Sequence, residues 1–223
     1  MVNRRYYPTV NAKTGEVKMH YGDWVTEVAA EIQGKTDLIY RGFDTEEEAD
    51  NFINAGFIEK DNIDPADSNV VNKEIEDRKA SLAEDEAIIF TDGSYREKIN
   101  PKIVGYGWIG ITKDKEIKNK GTSDRADMVN MHNISVEILA VEEGVKWALD
   151  KKMKRLDIYF DYSGLVGWAY GYKTNTPMSK EYHDFIMAAR KNMKIVFHKV
   201  SAHKGVEYNE MADSLAKKAI ENN

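Results

Sequence analysis

Apolar residues recur along this chain with two periods, and the points where the period changes mark out its elements. Arg5–Val10 reads as a strand, followed by a turn over Asn11–Gly15. Trp24, Val25, Val28, Ala29 and Ile32 follow a 3.6-residue spacing behind Asp23, a good N-cap, and Gly34 ends the helix they predict. Leu38–Phe43 suggests a second strand. Asp44-Thr45-Glu46-Glu47-Glu48 then opens a second helix. Acids suit the positive end of the helix dipole, and Thr45 with Glu48 has capping-box spacing. Ala49, Phe52 and Ile53 give that helix an apolar face, and Gly56 stops it. Residues 1–56 are therefore expected to form a small α/β unit.

From 57 to 86 the pattern lapses. The stretch is acidic, carries the breaker cluster Asp64–Asn69 and reads as a linker with a short helix within 72–82. From 87 onward, strands and helices alternate. Strands are expected at 87–92, 105–112 and 116–121, a helix at 136–151 and a strand at 156–161. Helices follow at 163–170 and 179–192, then a strand at 194–200 and a helix at 209–220. That order implies an α/β fold, with a mixed sheet flanked by helices over residues 87–223.

Composition narrows the function. With 42% hydrophobic residues the chain can build a core, yet no apolar run approaches the roughly 18 residues that a membrane crossing needs. The two arginines near the start precede no apolar segment, so no secretory signal is expected. Zero cysteines exclude disulfides, thiolate metal sites and thiol catalysis, which fits a cytoplasmic protein. The net charge of −6 is unevenly spread. Residues 1–56 carry 6 Lys and Arg against 10 Asp and Glu, residues 57–86 carry 4 against 10, and residues 87–223 carry 22 against 18. The C-terminal part is thus a basic surface of the kind that attracts a polyanion.

Within that basic part, four acids stand where a carboxylate is physically awkward. Asp92 ends the apolar run Ala87–Phe90 and Asp161 ends Leu156–Phe160, while Glu137 and Asp213 fall among the apolar positions of two helices. A carboxylate beside a buried face costs several kcal/mol unless something positive compensates it. Two acids at the carboxyl ends of strands expected to be central in the sheet, joined by two from helices, are placed to converge on divalent cations, with substrate phosphate completing the shell.

The residues around these acids carry a family resemblance. Thr91-Asp92-Gly93-Ser94, Val136-Glu137-Ile138-Leu139-Ala140, Phe160-Asp161-Tyr162-Ser163, Ser201-Ala202-His203-Lys204-Gly205 and Tyr208–Ala216 occur in that order. Together, over roughly 87–220, they resemble type I ribonuclease H. The resemblance implies the ribonuclease H fold and an endonuclease that hydrolyses the RNA strand of RNA–DNA hybrids with two Mg2+ ions, Mn2+ being an alternative. It implies Asp92 as the ligand bridging both metals, Glu137 and Asp161 completing one and Asp213 the other. Glu137 would also approach the ribose 2′-OH, the group that separates RNA from DNA. His203 would transfer a proton or assist product release. Ser94 and Asn133 would meet the hybrid backbone, and Asn209 would lie near the scissile phosphate. The alternative reading is a nucleic-acid-binding module of the same fold without turnover.

Residues 1–56 are similar to the small hybrid-binding domain that precedes some members. Tyr6-Tyr7, the Trp24 helix, Tyr40-Arg41-Gly42-Phe43 and the Thr45–Ala49 helix carry the match. It implies Trp24, Tyr40 and Phe43 as contacts to an RNA–DNA hybrid, with duplex RNA as a second candidate ligand. This unit departs from the family in holding one lysine in its first turn and in its net acidity. No membrane and no obligate protein partner are expected. The segment from Asp161 to His203 lacks a long basic insertion, which leaves Lys151, Lys152, Lys154, Arg155, Lys173 and Lys180 as basic candidates.

Overall fold

Two sheets organise the chain. The structure is a computed structural model that describes residues 4–11, 16–35, 38–54, 68–95, 103–124, 133–162, 164–169, 176–200 and 204–221. In the first unit, β1 (Arg4–Asn11) lies between β2 (Val17–Asp23) and β3 (Leu38–Tyr40), antiparallel to both. A π-helical turn (Trp24–Val28) runs into α1 (Ala29–Ile32), and α2 (Glu46–Asn54) follows β3. The expected caps are in place. Asp23 Oδ1 accepts from the backbone N–H groups of Val25 and Thr26, and Thr45 and Glu48 bond reciprocally at 3.2 Å.

Strand β2 is absent from the sequence expectation, for a physical reason. Its side chains alternate, but the apolar set is the less buried one: Val17 and Tyr21 are exposed and Met19 only partly covered, whereas His20 and Gly22 are buried. His20 is accommodated by Thr9, whose hydroxyl lies 3.3 Å from its Nε2. Hydrophobicity alone therefore assigns this strand the wrong face.

The second unit is a five-stranded mixed sheet in the order β6-β5-β4-β7-β8. Its strands are β4 (Glu86–Tyr95), β5 (Val104–Ile111), β6 (Glu116–Ser123), β7 (Arg155–Phe160) and β8 (Lys194–Lys199). Pairing is antiparallel from β4 to β6 and parallel from β4 to β8. Period-two alternation divides each central strand between two cores. Ala87 and Ile89 of β4, with Leu156, Ile158 and Phe160 of β7, enter one apolar cluster with α4 (Asn133–Asp150), α5 (Gly164–Ala169) and α6 (Pro177–Arg190). Ile88, Phe90 and Tyr159 enter another on the opposite side, with Ala212 of α7 (Glu207–Glu221). The mixed, helix-flanked sheet expected from the sequence is the one observed.

Residues 68–80 correct the linker assignment. They form α3 (Ser68–Ala80), whose Ile75 is 1% exposed in the second apolar cluster. Its single deeply buried apolar side chain gives too weak a periodicity to mark a full-length helix. The five-stranded unit thus includes packed structure from residue 68, ahead of the expected start at 87.

Candidate active site

Asp92 lies further inside β4 than its sequence context suggests. Strand β4 stays paired with β5 as far as Tyr95 and Val104, but its pairing with β7 ends at Phe90 and Tyr159. Asp92 sits just beyond that point, and Asp161 directly follows the last residue of β7. Two parallel strands thus deliver one carboxylate each past their common end. The third comes from α4, which packs on bare backbone at Gly93. A Cβ there would lie 2.7 Å from Val136 Cγ1 and 2.9 Å from Glu137 N, so glycine permits the approach that sets Glu137 beside Asp92. Glu137 is the fifth residue of α4, in its second turn rather than its first.

Asp92, Glu137 and Asp161 each offer a carboxylate oxygen, and the three atoms lie within 4.8 Å of one another. Asp92 is 5% exposed and Glu137 6%. Burial, reinforced by the charges of Asp161 and Asp213, pushes the Asp92 carboxyl up to about 7, although the Gly93 N–H donates to its Oδ1 at 2.7 Å. Burial next to Asp92 and Asp161 raises Glu137 well above the ordinary carboxylate range. Glu137 Oε2 is buried without a hydrogen-bond partner. Clustered acids that resist ionising together, with an acceptor oxygen left unmatched, are a donor set that fits a cation.

Asp213, on α7, stands apart from this trio. Lys217 Nζ, one turn further along, holds its carboxylate at 2.5 Å. Its charge still raises Asp92. Asn209, one turn before it and 2% exposed, donates from Nδ2 to Asp161 Oδ2 at 3.3 Å, while its own Oδ1 is buried and unpaired.

Residues 84–221 match the RNase H family. The chain belongs to the ribonuclease H family. Among relatives, it is 30% identical over 145 residues to the ribonuclease H of Agrobacterium fabrum, covering 60% of this chain and 93% of that protein. It is 33% identical over 144 residues to that of a Bradyrhizobium species, covering 59% and 88%. The fold is similar to the RNase H1 of Halobacterium salinarum, with TM-score 0.51 and 18% identity over 62% of this chain and 99% of that one. It is likewise similar to an N-terminal RNase H domain from Mycobacterium tuberculosis, with TM-score 0.51 and 21% identity over 61% and 94%.

Other candidate residues of this ribonuclease H divide by position. Ser94 is in β4 opposite Gly105 and only 8% exposed, which leaves little surface for a nucleic-acid backbone. His203 and the Asn133 side chain lie outside the described residues. In the first unit, Trp24 stacks on Tyr40 with ring centroids 5.0 Å apart and an 18° interplanar angle, and Tyr7 packs at 5.1 Å on Trp24. Tyr40 is 39% exposed, so this stack presents an aromatic surface. Phe43 is a correction. At 3% exposure it bridges to Tyr6 through paired backbone bonds and is a core residue, with no free ring face. Arg155 is a second correction, because its guanidinium is engaged by Asp157 instead of being displayed to a polyanion.

Asp157 is the polar residue that sequence reasoning missed. It is fully buried in β7. Arg78 of α3 donates to Oδ2 from Nε and Nη2, Arg155 spans both oxygens, and His198 Nε2 lies 2.7 Å from Oδ1. Arg78 also reaches Glu86 at 2.9 Å. The signal was present: a charge inside the apolar run Leu156–Phe160, with Arg155 next to it.

Proposed function

We propose that this protein is an endoribonuclease that hydrolyses the RNA strand of RNA–DNA hybrids, using two divalent cations. The observation that carries the reading is the convergence of Asp92, Glu137 and Asp161 in a member of the ribonuclease H family. Three hard oxygen donors with no nitrogen or sulfur among them fit Mg2+, or Mn2+ in its place. When bound, such cations supply charge neutralisation at the phosphate, a water acidified enough to attack, and stabilisation of the leaving oxygen.

The remaining work belongs to the chain. Asp92, Glu137 and Asp161 would together hold one cation, and Asp92 would be shared with a second. Asp213 would join Asp92 at that second cation, for which it would have to release Lys217. Asn209 orients Asp161 through their hydrogen bond. Glu137 meets the ribose 2′-OH, giving the selection for RNA. His203 is assigned to proton transfer at the departing product, and Asn133 to the backbone of the hybrid. Hybrid cleavage by the pure protein is expected to stop on chelation and return with added Mg2+. Cleavage that survives exhaustive chelation would contradict the role given to the acids.

The first unit is proposed as the hybrid-gripping module, through the open Trp24–Tyr40 stack, since base and sugar faces pack on aromatic rings irrespective of sequence. Duplex RNA is its second candidate ligand, and the setting proposed is the cytoplasm. Deleting residues 1–56 is expected to weaken hybrid binding about tenfold, the loss of one or two stacking contacts at ~1–3 kcal/mol each. Single-turnover cleavage at saturating enzyme should be unchanged. Equal affinity with and without the unit, measured by titration, would show that it serves another partner.

A further inference from the structure

Helix α3 precedes the region that matches the family, yet it is fastened to the elements that carry the site. Its last turn is held by Arg78 on Asp157, and Lys79 Nζ donates to Tyr208 OH at 2.6 Å. Its first turns meet the start of α7. There Asn72 makes two bonds with one amide: Nδ2 donates to the Gly205 carbonyl at 2.8 Å, and Oδ1 accepts from Glu207 N at 3.2 Å. Glu207 opens α7, so its N–H is one of the amides a helix leaves without an internal partner.

We propose that Asn72 is a positioning residue of the active site, a role that rests on the nuclease reading above. Its two bonds fix both the height and the rotation of the junction between Gly205 and α7. Little else in that junction can yield. Gly205 has φ +83°, a left-handed backbone that favours glycine, and a Cβ there would lie 3.3 Å from Ser68 Oγ. The Gly205 N–H in turn donates to Glu210 Oε1 at 2.9 Å, which ties the segment to the first turn of α7. That same turn carries Asn209, whose amide holds Asp161, and Asp213 follows one turn later. In sequence, His203 is two residues from Gly205. Asn72 thus acts on the chemistry through α7, without touching substrate.

The test uses the full chain with Mg2+ and an RNA–DNA hybrid. Asn72→Ala is expected to lower kcat about ten- to a hundredfold, the effect of a small misplacement of reacting groups. KM for hybrid should stay unchanged and the protein should remain folded at the assay temperature. Asn72→Asp keeps an acceptor for Glu207 N at the positive end of the helix but turns a carboxylate oxygen on the Gly205 carbonyl, so it is expected to recover only part of that loss. The Asn209 side-chain amide resonances report independently of turnover: they should move in Asn72→Ala and move less in Asn72→Asp. Unchanged kcat in Asn72→Ala, a loss confined to KM, or unmoved Asn209 resonances would overturn the proposal. If the unsubstituted protein fails to cleave hybrid while the Asn209 resonances respond as expected, it is the nuclease reading that falls.

Discussion

Asp92→Asn is expected to abolish hybrid cleavage and at the same time to stabilise the metal-free protein. The Asp92 carboxyl feels Asp161, Asp213 and Glu137 together, so in the proposed reading its loss removes the ligand that would be shared by two cations. About 4 kcal/mol of transition-state stabilisation is a modest figure for such a ligand, and at ~1.4 kcal/mol per decade it corresponds to roughly a thousandfold in turnover. Stability moves the other way because the acids repel one another. The folded state raises the Asp92 carboxyl from its ordinary 3.8 to about 7. A raised acid stabilises the fold fully below its unfolded value, and that stabilisation disappears as pH climbs through the folded value. The metal-free wild type should therefore lose stability between pH 4 and 8. The Asn variant, with no charge to develop there, should lose less. Thermal melts in chelator should show the variant ahead at pH 8, by about 2–4 °C for each kcal/mol relieved, with the advantage shrinking by pH 5. Turnover within tenfold of wild type, or a variant that melts lower at pH 8, would contradict the assignment.

Asp157→Ala is expected to have the largest effect on stability. Burial alone would push the Asp157 carboxyl up, but hydrogen bonds from His198, Arg155 and Arg78 outweigh it and hold the group well below the usual carboxylate range. Removing that carboxylate takes a partner from two part-buried guanidinium groups, of which Arg78 keeps Glu86. Breaking a buried pair in this way costs about 3–5 kcal/mol, or a fall in thermal midpoint of about 10 °C or more for a chain of this size. Its pH signature has the opposite sign to that of Asp92. A depressed acid stabilises the fold above its unfolded value and loses that contribution as pH falls. The gap between wild type and Asp157→Asn should therefore be full at pH 6 and shrink as pH drops below about 4. A gap that stays constant to pH 2 would mean that Asp157 is held by packing rather than by charge.

The three acids that cluster, Asp92, Glu137 and Asp161, were legible in the sequence because each breaks a local rule: a charge where the pattern calls for burial. The alternation of strands and helices from 87 onward was legible for a similar reason, since apolar periodicity is strong wherever an element has two cores to fill. Three features escaped. Strand β2 carries its apolar side chains on the less buried face, which inverts the usual signal. Helix α3 is anchored by Ile75 and by polar bonds from Asn72 and Arg78 to residues more than a hundred and about eighty positions away, contacts that no local window contains. Phe43 had an aromatic context shared by binding and core residues, and only its burial separates the two. Asp157 was the avoidable omission, because the argument applied to Asp92 and Asp161 applies to it unchanged. What distinguishes it is the company it keeps. Asp157 is surrounded by three basic side chains, whereas Asp92 and Glu137 face other acids. A buried acid with cations around it is structural, and a buried acid among acids is a site.

The most direct measurement is cleavage by the pure, full-length protein of one labelled RNA strand presented in three ways: paired to DNA, paired to RNA, and alone, with a DNA duplex of the same sequence alongside. Each is incubated with Mg2+ or Mn2+. Cleavage of the RNA strand in the hybrid, with the DNA strand and both other duplexes left intact, is the result expected of the acid cluster. An intact hybrid with either metal, or RNA cut equally well in every pairing, would contradict it.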